Sequence, residues 1–79
     1  MFRTLVKSDA VAVDDQQVPV RYFELRTLRG ARRYSAEILL GPGDRIILDD
    51  DSVTNLEART LHLVPATLYS RLLASRTAA

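Results

Sequence analysis

Five residues of this 79-residue chain have the types and spacing that could bind an anion. Arg26, Arg29, Arg32 and Arg33 cluster around a glycine, and Tyr22 lies four residues upstream. A guanidinium presents a planar fork of donors to phosphate, and an aromatic ring gives a base something to stack on. Together they would make a nucleic-acid patch on a basic hairpin. Other features weigh against it. The net charge of the chain is only +1, below what a dedicated nucleic-acid domain carries, and ten of its eleven cationic side chains are arginine. Arginine used so exclusively is also what codon bias would produce. The favoured readings of the cluster are a solvated hairpin tip or a charged protein contact, with nucleic acid as the alternative.

Catalytic chemistry finds less support. There is no cysteine, and His62 is the only histidine, set among Leu61, Leu63 and Val64. A nucleophile–base pair therefore has few candidates, and His62 reads as a partly buried structural residue. Gly41-Pro42-Gly43-Asp44 lacks the Lys-Ser/Thr of a phosphate loop and reads as a turn. Asp49-Asp50-Asp51 offers carboxylates to a hard cation, yet neighbours on an extended chain point to opposite faces. It reads as an acidic entry to a helix. The expectation is a protein that is not an enzyme and takes no metal, cofactor or small molecule.

Those residues need a frame to hold them. The composition, 47% hydrophobic and 27% charged, is that of a folded domain rather than a disordered one. Without cysteine, disulfides and thiolate zinc sites are excluded. At this length the chain is one domain, residues 1–79, with a small core. No apolar run is long enough to span a membrane. Ser8, Asp9, Asp14 and Asp15 interrupt any leader-like apolar stretch, so a cytoplasmic location is expected.

Alternation predicts a first strand over residues 2–7 and a short one over 10–13, then a polar break at 14–17. Residues 18–28 and 31–40 predict a hairpin around Arg29-Gly30. With a two-residue loop, Leu25 pairs with Tyr34, Phe23 with Ala36 and Arg21 with Ile38, leaving Tyr22 on the opposite face. The strand over 44–49 then places Ile46 beside Ile38 and Leu48 beside Ala36.

Beyond Asp51 the period changes. Thr54 and Glu57 fit a capping box, with Val53 and Ala58 as its staple. Leu56, Thr60, Leu63 and Val64 share one helical face, although residues 58–64 also alternate like a strand. Pro65 interrupts the pattern, giving one helix or two broken there; Leu68, Leu72 and Leu73 continue the stripe as core, and residues 75–79 should fray. The fold class is α+β: an antiparallel meander of three or four strands packed by a C-terminal helix.

Charge is segregated. Residues 21–33 carry a net +4, and residues 44–57 a net −4. Opposed blocks and a small core suit a protein–protein interaction module, one that self-associates as a homodimer or binds a protein partner.

Overall fold

The computed structural model describes residues 2–77. Four antiparallel strands form one sheet in the order β1-β2-β3-β4, and one helix crosses it. The elements are β1 (Arg3–Val13), β2 (Gln16–Arg26), β3 (Arg32–Gly41), β4 (Asp44–Asp50) and α1 (Val53–Thr77). Residues 2–13 hold one long strand rather than two, with an irregularity between Leu5 and Lys7. Asp14 and Asp15 form a tight turn, and Asp14 takes φ 52°, which a short polar side chain tolerates.

The register of β2 on β3 is one residue away from the expectation. Val20 faces Ile38, Arg21 faces Glu37, Tyr22 faces Ala36, and Leu25 faces Arg33. The connection is the cause. It runs from Thr27 to Ala31, closed by Thr27 N–H to Ala31 O (3.0 Å) and Gly30 N–H to Thr27 O (2.9 Å). The Ala31 N–H also donates to the Thr27 hydroxyl, and Gly30 supplies φ 81°. A five-residue loop reverses the parity set by a two-residue one, so β2 is turned over. Its helix-facing set is Val18, Val20 and Tyr22; Arg21, Phe23 and Leu25 go to the other face. This order keeps Arg21 out of the core.

The β3–β4 register matches the pattern, with Ile38 opposite Ile46 and Ala36 opposite Leu48. Under α1 the core gathers Val18, Val20, Tyr22, Ala36 and Ile38 with Leu56 and Val64. Residues 58–64 are helical, and Leu56, Thr60 and Val64 are fully buried as the helical spacing predicts.

The helix begins earlier than a Thr54 cap would allow. Ser52 is the cap: its hydroxyl accepts from Asn55 N–H (3.1 Å) and its carbonyl from Leu56 N–H (3.1 Å). Thr54 lies inside the first turn, and the box with Glu57 does not form. Pro65 does not break α1, which continues to Thr77. Proline denies only its own N–H and crowds one carbonyl, and the exposed position leaves that carbonyl to water. The fraying expected over 75–79 is not seen through Thr77, and residues 78 and 79 lie outside the described residues.

The shape is long, 50 × 21 × 20 Å. Its radius of gyration is 14.3 Å, against about 11.6 Å for a compact chain of this length. The β2–β3 ladder stops at Val20, so residues 10–19 form a two-stranded arm alongside the second half of α1. Pro19 sits on that arm, beyond the end of the ladder, where its missing N–H interrupts no pairing with β3.

Candidate interaction surfaces

The hairpin residues singled out by type do not converge. Tyr22 is 3% exposed beneath α1, where burial pushes its phenol above the usual range. It cannot stack on a ligand at the hairpin. Arg26 and Arg32 both approach Glu24, at 3.7 and 3.6 Å. Arg29 is exposed at the tip, and the register puts Arg33 on the opposite face.

Only the Asp49–Asp51 part of the acidic segment lies at the same end of the sheet, where Asp50 faces Tyr34 across the β3–β4 ladder; Asp44 lies at the other end, beside Gly41. Its charges are largely met within the chain. Asp50 accepts from Asn55 Nδ2 (3.2 Å), Asp51 N–H (2.7 Å) and Arg59 (3.3 Å), holding its carboxyl down at about 2. Arg71 pairs with Asp44 and lowers that carboxyl as well. Glu57 bonds Lys7 at 2.9 Å, which raises the lysine. The acidic block is therefore spread along β4 and into α1 and met by Lys7, Arg59 and Arg71, rather than set as one end complementary to the basic hairpin. Among the described residues, no group of three or more His, Asp or Glu is placed to hold a metal. No described helix is long and apolar enough to cross a membrane. His62 is exposed, on a shallow groove of about 490 Å³ with Leu48, Arg59 and Ala66.

Two surfaces carry more. The first is the sheet face that α1 leaves open. Glu37, at its centre, is 1% exposed. Arg21 bonds one carboxylate oxygen at 2.5 Å and Arg45 the other at 3.1 Å, while Arg3 lies 4.0 Å away. Arg3 reaches there across Phe23, its guanidinium carbon 4.1 Å from the ring centre. This helps explain why Phe23 is buried on a face that no element covers: the Arg3 side chain lies over its ring. Leu5 and Ile47 remain about half exposed at its margins. The sequence pattern did not single out Glu37, Arg3 or Arg45. Their signal was the shared parity of Arg33, Ser35 and Glu37 with Arg21 and Phe23, visible only in the correct register.

The second surface is on α1. Beyond Val64 the expected core stripe is largely solvent-facing. Tyr69 is 63% exposed, Leu72 50% and Leu73 43%, with Leu68 half-buried; Leu61, on the preceding turn, is 62% exposed. Leu61, Pro65, Leu68 and Leu72 follow a 4-3-4 spacing along one side of the helix. A groove of about 500 Å³ runs between this stripe and the arm, bounded by Val13 and Asp15.

Comparison of the chain with family models, with characterised proteins and with solved structures finds no match.

Proposed function

We propose that this protein is a small non-enzymatic interaction module that associates with a second copy of itself through the Leu61–Leu72 side of α1 and the adjoining β1–β2 arm. The observation that carries this reading is surplus surface. The chain exposes 5751 Å². A compact monomer of 8.9 kDa exposes about 4,800 Å², so roughly 900 Å² is in excess. That is close to the ~800 Å² each partner covers in a standard interface.

The location follows from chemistry. A 4-3-4 apolar spacing is the seam by which two helices pack. A two-stranded arm is marginal alone and gains from cover. Both signs of charge lie at this end, Asp14 and Asp15 on the turn and Arg76 in the last helical turn, as a self-complementary two-fold contact requires. The open sheet face suits self-contact poorly, because pairing it would oppose arginines.

Light scattering coupled to size exclusion tests the proposal. The wild type should run at twice its chain mass at micromolar concentration, and Leu61→Asp with Leu72→Asp should run at the single-chain mass. A wild type that stays monomeric at high micromolar concentration overturns self-association. A doubly substituted chain that remains dimeric overturns the assigned surface.

A further inference from the structure

We propose that the open face of the sheet binds single-stranded nucleic acid, with Arg3, Arg21, Arg33 and Arg45 meeting phosphates and the guanidinium of Arg3 serving as a stacking surface for a base. This goes beyond self-association and uses the opposite side of the molecule.

The charge of the face is unbalanced. Four arginines share it with two carboxylates, Glu37 and Asp49. Glu37 is buried and already met from three directions, so it presents almost no negative charge outward. The arginines remain half exposed, at 50%, 46% and 60% for Arg3, Arg21 and Arg45. A carboxylate accepts few of the donors that three guanidinium forks offer, and the rest point to solvent. Glu37 thus acts as an internal anchor that holds arginines over the sheet with donors free. Arg33 forms no ion pair among the described residues and extends the positive track along the strands.

The same geometry selects the class of anion. The face has no protrusion to reach base edges within a duplex groove, which needs a helix or ribbon. A single strand brings its phosphates and unstacked bases to a flat surface. Arg3 is held over the Phe23 ring, so its outer side can take a base as a third layer, a contact the carboxylates of an acidic peptide do not make. The hairpin tip, by contrast, has Glu24 between Arg26 and Arg32.

Fluorescence anisotropy with labelled oligothymidylate and oligouridylate of about 12 nucleotides, within the footprint of one small domain, tests this. Binding should be tight at low salt and weaken as salt rises. Arg3→Gln with Arg33→Gln leaves the Arg21 and Arg45 bonds to Glu37 in place, so the fold should survive; a thermal melt checks it. This variant should bind about tenfold more weakly. Its slope of log affinity against log salt should be shallower by about 0.7 for each phosphate no longer neutralised. Arg29→Glu at the hairpin tip should change affinity less than twofold, because that side chain lies off the proposed face. The monomeric Leu61→Asp, Leu72→Asp chain should bind as wild type does, which separates this proposal from self-association. No binding to either strand at low salt overturns the proposal. So does a duplex or polyglutamate competing as well as the single strand, or Arg29→Glu costing as much as the sheet-face variant.

Discussion

Glu37 and its arginines make an asymmetric prediction. Removing the carboxylate should cost much less than removing the arginines that meet it. In the Glu37→Leu variant the three guanidinium groups lose a common partner, but their side chains are already about half exposed and turn to water. The leucine takes a site walled by arginine stems and the Phe23 ring. Removing one partner of a buried ion pair is costly when it leaves a buried charge unpaired, and here the charges left behind are solvated, so the expected loss is within about 1 kcal/mol. In Arg21→Ala with Arg45→Ala, a carboxylate that is 1% exposed keeps only Arg3, at 4.0 Å. A buried charge stripped of its partners costs about 3–5 kcal/mol, and Arg3 moves this toward the lower end. In a domain of this size 1 kcal/mol moves Tm by about 4–8 °C. Glu37→Leu should therefore melt within about 8 °C of wild type, and the double arginine variant at least about 12 °C lower. Thermal unfolding followed by circular dichroism, with a urea series to confirm an unchanged m value, measures both. Equal losses in the two variants would contradict this asymmetry, because Glu37 would then be holding the sheet together rather than being held.

Three further outcomes follow from the helix and its entry. Ser52→Ala should cost about 1 kcal/mol by removing the acceptor of Asn55 N–H, whereas Thr54→Ala should cost no more than about 0.5, as urea denaturation will show. Pro65→Ala restores a helical N–H donor at an exposed site and should raise Tm, with a gain of up to about 3 kcal/mol if the helix relaxes fully. Asp50 is held near 2 against an ordinary 3.8, so the folded state prefers its charged form. Its contribution is complete above about pH 4 and is lost as pH falls toward 2. Carboxyl titration by NMR should find Asp50 near 2 in the wild type and nearer its ordinary value in Asn55→Ala.

The amino-acid sequence alone settled much of what rests on local pattern, but not the helix cap, which is Ser52 rather than Thr54, nor the unity of β1. Alternation and glycine turns specify the strands, the Ile38–Ile46 register follows from a short turn, and the spacing of Leu56, Thr60 and Val64 specifies the buried helix face. Those features depend on neighbours along the chain. The β2–β3 register does not, because it turns on whether the loop holds two residues or five. Val18, Val20 and Tyr22 compete with Phe23 and Leu25 for the same side, and both sets read as apolar. Only the folded sheet, where Arg21 must avoid the core and finds Glu37, decides between them. The same decision buries Tyr22, disperses the hairpin patch and creates the arginine-covered face. Likewise the helical stripe beyond Val64 is apolar in either case. Whether it is core or surface depends on what lies beneath it, and beyond Val64 the adjoining two-stranded arm leaves Tyr69, Leu72 and Leu73 exposed.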